Sequence, residues 1–120
     1  MGTRFLATEE CPVPEAYKQA ILEARDNSTM IAARKGYPIR VLKNQAALAV
    51  RKMDESGASQ DEINAYVDGL SKGRGDDREN KLMASGQIAG MIRKILSVDE
   101  VIRNMVDEAR AVAQNLNNKF

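Results

Sequence analysis

Three short segments contain residue types that could contact a phosphate-bearing or anionic ligand. Gly2 and Thr3 open the chain, and backbone amides beside a hydroxyl group can bind phosphate oxygens. Arg40 and Lys43 lie on either side of a short apolar stretch and could meet an anionic substrate. The third segment consists of small and polar residues, Ser85, Gly86 and Gln87. Its small residues would let the backbone sit tightly against a cofactor.

Each segment alone also has a simpler interpretation. The first could be a frayed terminus, and Arg40 and Lys43 could be solvated charges beside a turn. Gly86 and Gly90 lie four residues apart. Glycines at that spacing could simply permit close contact between two helices. The residue types alone therefore leave both interpretations of each segment open.

Composition limits the chemistry that the chain can perform by itself. The 120 residues include no histidine, which is the commonest general acid or base and the commonest metal ligand. The sequence also lacks a nucleophile elbow, a P-loop and any Cys/His metal-ligand spacing. We therefore assign no catalytic residue and no metal ligand to this chain.

Charge and hydropathy exclude two classes of partner and indicate a compartment. The 18 basic and 17 acidic residues give a net charge of +1, without the clustered basic excess of a nucleic-acid-binding protein. No apolar run approaches the roughly 18 residues of a membrane span, and no signal peptide opens the chain. The single cysteine, Cys11, fits a reducing compartment. We expect a cytoplasmic protein that binds neither nucleic acid nor membrane.

Hydrophobic periodicity predicts a mostly helical chain with one small β-hairpin. Residues 1–8 are expected to end a strand and enter a turn, and a helix follows from Pro14 to about Arg25. Residues 29–33 and 39–42 are rich in β-branched residues and flank a turn that contains glycine and proline. This pattern predicts a two-stranded hairpin.

Capping signals place the later helices. Asn44 can cap a helix that runs to about Ser56. Capping boxes at Ser59–Glu62 and Ser97–Glu100 open two further helices. Between them, a polar loop over residues 71–80 precedes the apolar stretch Leu82–Leu96, which we expect to be a helix as well.

Four motifs occur in order along nearly the whole chain. They read Gly-Thr-Arg-Phe-Leu, Tyr-Lys-x-x-Ile-Leu, Gly-x-Pro-x-Arg-Val-Leu-Lys-Asn and Met-Ala-x-Gly-Gln-Ile-Ala-Gly, at residues 2–6, 17–22, 36–44 and 83–90. Together they resemble the C-terminal third of the flavin-dependent nitronate monooxygenase family, which includes the type II enoyl-acyl-carrier-protein reductases. Tyr37 stands where the reductase members often have histidine.

The resemblance implies an FMN enzyme built on a TIM barrel, of which this chain would be the C-terminal part. Residues 1–11 would end the last barrel strand and form a phosphate-binding turn. Residues 12–80 would form a small helical domain with a β excursion on the substrate side. Residues 81–120 would supply C-terminal helices that pack on the barrel.

The same resemblance implies ligand contacts. Gly2 and Thr3 would bind the flavin phosphate, and Ser85, Gly86 and Gln87 would return to the flavin side of the active site. Arg40 and Lys43 are the candidates for the substrate side. The substrate would be a small molecule or an acyl thioester, with NAD(P)H as a candidate electron donor.

The sequence contains no barrel, so the chain alone would hold only one edge of a flavin. We expect it to bind FMN negligibly, and to self-associate because Leu82–Leu96 would lack the barrel it faces. The alternative is a free-standing helical interaction module without catalysis, which the missing active site and the two well-capped amphipathic helices favour. A split enzyme with its barrel on a separate chain is a third hypothesis.

Overall fold

The protein is described here by a computed structural model that covers residues 1–34, 38–72 and 77–120. The predicted mostly helical fold with one hairpin is confirmed over these residues. Gly36 and Tyr37 of the predicted turn, and residues 73–76 of the predicted polar loop, lie outside them. In chain order the elements are α1 (Gly2–Leu6), α2 (Glu15–Glu23), β1 (Thr29–Ala32), β2 (Ile39–Leu42), α3 (Gln45–Glu55), α4 (Gln60–Ser71), a 3₁₀-helix (Gln87–Met91) and α5 (Val98–Asn117).

The hairpin receives a third, strand-like neighbour from a distant part of the chain. β1 and β2 pair antiparallel, with Thr29 opposite Leu42. On the other side of β2, the Leu42 amide donates to the Met83 carbonyl at 2.9 Å. The Ser85 amide donates to the Arg40 carbonyl at 3.1 Å. This neighbour supplies packing that an isolated two-stranded hairpin lacks.

Two buried cores lie on the two sides of β2, because neighbouring side chains of a strand point to opposite faces. Leu42 belongs to the first core and Val41 to the second. The other buried members of the first core are Ala7, Ala20, Ile21, Ala24, Met83, Ala89 and Ile92. Those of the second core are Met30, Ala32, Ala33, Ala47, Val50 and Ile63. β2 therefore joins α2 and the 3₁₀ region to α3 and α4.

The later helices begin where the capping signals predict. The Asn44 side chain accepts a hydrogen bond from the Ala47 amide at 2.8 Å. Both capping boxes are formed, at the starts of α4 and α5. Hydrogen bonds from the Ser97 backbone and side chain lower the pKa of Glu100. Local hydrogen bonds thus determine these helix starts.

The prediction that residues 1–8 end a strand is wrong, since they contain the short helix α1. The Arg4 guanidinium donates to the carbonyl of Ala7 at 3.2 Å and to the carbonyl of Lys94 at 2.9 Å. These bonds occupy a carbonyl just beyond the helix and attach α1 to the segment before α5. A single strand-like bridge begins only at Thr8.

The prediction that Leu82–Leu96 forms a helix is also wrong. Of these residues, all of which the structure describes, only Gln87–Met91 is helical, and it is a 3₁₀-helix. The residues before it are extended along β2, and Gly90 lies against the backbone of Arg25. A Cβ atom at Gly90 would lie 2.9 Å from the carbonyl carbon of Arg25. Residues 81–120 therefore hold one α-helix rather than several.

Helix α5 has 20 residues and carries a wide apolar stripe that is largely exposed. Only Val101 on this helix is buried, whereas Ile102 is 48% exposed and Val112 is 58% exposed. Charged and uncharged polar residues make up most of the rest of its surface. Within the described ranges, none of the helices combines the length and the apolar character needed to cross a membrane.

We predict that Gly90→Ala destabilises the chain by about 1–3 kcal/mol, because the added methyl group must displace the Arg25 backbone. The control is Gly69→Ala, since a Cβ atom at Gly69 meets nothing within 4 Å. Gly69 lies inside α4, where alanine should stabilise by about 0.5–1 kcal/mol. Urea unfolding measures both changes. Equal stability of the Gly90→Ala variant and the parent chain would contradict the close approach.

Candidate functional site

The structure brings the first and the third of the predicted segments into direct contact. The Gly86 amide donates to the Thr3 Oγ1 atom at 2.8 Å, although the two residues are 83 positions apart. A Cβ atom on Gly86 would lie 3.3 Å from that oxygen, which is a tight contact. The absence of a side chain at Gly86 therefore eases the close approach. We call this contact the Thr3–Gly86 junction.

The Thr3 hydroxyl can donate a hydrogen bond as well as accept one at this junction. The Thr3 side chain is 9% exposed, and its oxygen accepts the Gly86 amide. A threonine hydroxyl can also donate one hydrogen, and no residue within the described ranges accepts it. Gly2 and Thr3 open α1, where backbone amides have no acceptor within the helix. An oxygen-rich ligand at this corner would supply acceptors for these donors.

The two other predicted residues of the third segment lie beside the junction. Ser85 is buried, and its hydroxyl donates to the Ala84 carbonyl at 2.8 Å. Gln87 begins the 3₁₀-helix and is exposed. Ser85 is thus engaged within the protein, while Gln87 presents its side chain to the surroundings.

Sequence reasoning missed Tyr17, whose phenol donates to the same Ala84 carbonyl. Burial raises the pKa of Tyr17, although its contact with the Ser85 hydroxyl acts in the opposite direction, and the neighbouring Cys11 thiol raises it further. Tyr17 belongs to one of the four motifs, but its spacing indicated only a helix face. The polar end of that aromatic side chain was the signal that could have identified it.

Arg40 and Lys43 lie in different parts of the structure, Arg40 on β2 and Lys43 at a separate cavity. The Arg40 guanidinium donates to the Thr29 hydroxyl at 3.0 Å across the hairpin. Its backbone carbonyl accepts the Ser85 amide, so Arg40 is one hydrogen bond away from the junction segment. Lys43 is exposed and lines a separate polar cavity of about 170 Å³.

Charges in this polar cavity nearly balance. Glu23 and Arg78 form an ion pair with an N–O distance of 2.7 Å, and Lys43 and Glu79 also line the walls. The hydrogen bond from Arg78 lowers the pKa of Glu23. The cavity therefore lacks the positive excess that would favour an anionic substrate at Lys43. Among the described residues, no group of three or more His, Cys, Asp or Glu side chains could hold a metal ion.

An apolar groove of about 350 Å³ lies between α1, the 3₁₀-helix and α5. We call it the α1–α5 groove. Met1 is 77% exposed and Met91 is 76% exposed along its edges. Val101 and Met105 contribute the α5 wall, so the groove is continuous with the apolar stripe of that helix. An exposed apolar surface therefore runs from the groove along α5.

Comparison with known proteins identifies the family. A family model described as nitronate monooxygenase matches residues 1–108. The chain belongs to the nitronate monooxygenase family. This confirms the assignment made from the four motifs.

Solved structures of FabK are similar to this member of the nitronate monooxygenase family. FabK from Thermotoga maritima matches with a TM-score of 0.88 and 28% identity, over 100% of this chain and 39% of FabK. A single-substitution variant of the same FabK matches with a TM-score of 0.79 and 27% identity, over 100% of this chain and 36% of the variant. The chain thus spans less than two fifths of the length of these FabK chains.

We predict that Thr3→Val accelerates hydrogen exchange at the Gly86 amide, because valine keeps the volume of threonine but removes the acceptor oxygen. The unfolding free energy should fall by about 1–3 kcal/mol, which is typical when a partly buried donor loses its partner. Thr3→Ser, which keeps the oxygen, should preserve the protection of Gly86. Exchange measured by NMR separates the variants, and equal protection in both would refute the junction.

Proposed function

We propose that this chain supplies the C-terminal part of an FMN-dependent oxidoreductase that reduces an enoyl thioester with electrons from NAD(P)H. Membership of the nitronate monooxygenase family supports the redox assignment. Similarity to FabK over the whole chain, together with the Arg-Val-Leu-Lys-Asn segment, favours the reductase chemistry over nitronate oxidation. The same membership argues against the alternative of a free-standing interaction module.

The Thr3–Gly86 junction is the observation that carries the cofactor assignment. Three donors at this corner would bind one edge of a flavin phosphate: the amides of Gly2 and Thr3, which begin α1, and the Thr3 hydroxyl. The Thr3 oxygen accepts a hydrogen bond from the Gly86 amide, so the hydroxyl hydrogen points away from that amide. The flavin, when bound, supplies the redox chemistry, and this chain contributes binding and orientation.

The other predicted residues have unequal support. Ser85 and Gln87 follow the junction closely and are proposed to border the flavin side. Arg40 is the better substrate-side candidate, because its backbone bonds to the Ser85 segment. Lys43 is the weaker candidate, since its cavity already contains balancing carboxylates.

The apolar face of the chain calls for a covering partner. We propose that the barrel portion of the parent protein packs into the α1–α5 groove and along the α5 stripe. The exposure of Ile102, Val106, Val112 and Leu116, between 42% and 58%, supports this assignment. Without that portion, we expect the chain to self-associate. We further propose a cytoplasmic location for the assembled protein.

A chimera tests the proposed activity. Replacing the matching 39% of Thermotoga maritima FabK with this chain should give a soluble yellow protein that oxidises NAD(P)H in the presence of an enoyl thioester. The same chimera with Thr3→Val should retain less flavin, because it loses the hydroxyl donor. A folded chimera that holds FMN but turns over nitronate with oxygen would contradict the reductase assignment. Sedimentation should show self-association for the isolated chain and not for the chimera.

The isolated chain tests the phosphate edge directly. We predict that FMN perturbs the NMR signals of the Gly2 and Thr3 amides, with a dissociation constant on the order of millimolar because only one edge of the site is present. Riboflavin at equal concentration lacks the phosphate and should leave these amides unchanged. Equal perturbation by both compounds would contradict phosphate recognition. Micromolar binding of FMN would contradict the incomplete site.

A further inference from the structure

Two hydroxyl groups converge on the carbonyl of Ala84, immediately before the Thr3–Gly86 junction. The Ser85 hydroxyl reaches it from the adjacent residue, so that bond is local. The Tyr17 phenol reaches it from α2, 67 positions away in the sequence. Of the two, only the bond from Tyr17 attaches this segment to another element of the fold.

The geometry of the extended segment explains why Ala84 needs such a partner. Ala84 forms an antiparallel bridge with Val41 of β2. The flanking bonds, Leu42 amide to Met83 carbonyl and Ser85 amide to Arg40 carbonyl, make this a non-hydrogen-bonded pair. The amide and carbonyl of Ala84 therefore point away from β2, along the outer edge of the sheet. An outer edge needs partners of its own.

Tyr17 supplies that partner for the Ala84 carbonyl, one residue before the last hydrogen bond between the segment and β2. The amide of the next residue, Gly86, bonds to Thr3. The direction of the Gly86 amide is thus set by a short segment held by β2 on one edge and by Tyr17 on the other.

We propose that Tyr17 is the positioning residue of the Thr3–Gly86 junction. Its phenol fixes the outer edge of the segment and so directs the Gly86 amide to the Thr3 oxygen. Because that oxygen then accepts the Gly86 amide, the Thr3 hydroxyl hydrogen can be donated to a ligand phosphate. The role in phosphate binding rests on the proposed function, whereas the attachment of the segment does not.

The surroundings of the phenol suit a permanent donor. Burial raises the pKa of Tyr17, so the hydroxyl keeps its proton at neutral pH and donates to the Ala84 carbonyl. Loss of that proton would place a negative oxygen against a carbonyl oxygen, which is unfavourable.

Tyr17→Phe tests the attachment, because it removes only the hydroxyl group. We expect hydrogen exchange at the Gly86 amide to accelerate about five- to tenfold, as loss of one hydrogen bond of ordinary strength would give. Tyr66→Phe is the matched control, since Tyr66 lies on α4 and is 36% exposed. It should leave exchange at Gly86 unchanged. Unchanged exchange in a folded Tyr17→Phe variant would overturn the positioning role.

A second readout tests the link to phosphate. In the parent chain FMN should perturb the Gly2 and Thr3 amides, and Tyr17→Phe should weaken this response several-fold while riboflavin stays without effect. If FMN perturbs these amides in the parent and in Tyr17→Phe equally, the positioning role is wrong while the phosphate site stands. If FMN has no effect on the parent chain, the phosphate site fails, and the proposed link between Tyr17 and phosphate fails with it. The attachment is then still decided by exchange at Gly86.

A measurement on the parent chain covers the case in which Tyr17→Phe does not fold. Nuclear Overhauser contacts between the Tyr17 ring and the Ala84 amide should be present, because the amide and the carbonyl of Ala84 face the same outer edge, where the phenol lies. Their absence would overturn the proposal without any variant.

Discussion

The extended path of residues 83–85 along β2 is the constraint on which the rest of the structure depends. Two backbone hydrogen bonds, at 2.9 and 3.1 Å, fix this path. It adds a strand-like edge to the hairpin and brings Met83 into the first core. It also delivers Gly86 to Thr3, a contact that no local preference of either segment would produce. Because a strand alternates its faces, neighbouring β2 residues serve the two cores, Leu42 the first and Val41 the second, so the hairpin and the terminal segments cannot be considered independently.

Features that arise from neighbouring residues were predictable from the sequence. Asn44 and the two capping boxes satisfy the first amides of their helices with side chains three positions away, so the sequence pattern and the structure coincide. The hairpin was predictable for a related reason, since β-branched residues on both sides of a turn favour antiparallel pairing. The family was predictable because four motifs in a fixed order are specific even where each motif alone is weak.

Features that depend on distant contacts were not predictable. Leu82–Leu96 has the apolar content of a helix, but its first residues bond to β2 and its Gly90 lies against Arg25, and both contacts are long-range. α1 looked like the end of a strand, yet Arg4 attaches it to Lys94. The same limit applies to the candidate site. Residue types suggested Thr3 and Gly86 separately, whereas their mutual hydrogen bond and the contribution of Tyr17 exist only in the folded chain.

Helix α1 lies at the meeting point of the candidate phosphate site and the open apolar surface. Thr3 belongs to the junction, whereas Met1 and Arg4 on either side line the α1–α5 groove. A short helix of this kind has little stability of its own and depends on packing. On the proposed function, a barrel portion that fills the groove would therefore also order the amides that face the phosphate. Burial of apolar surface and recognition of the cofactor would then be coupled through five residues, which explains why one edge of the site should bind only weakly before the groove is covered.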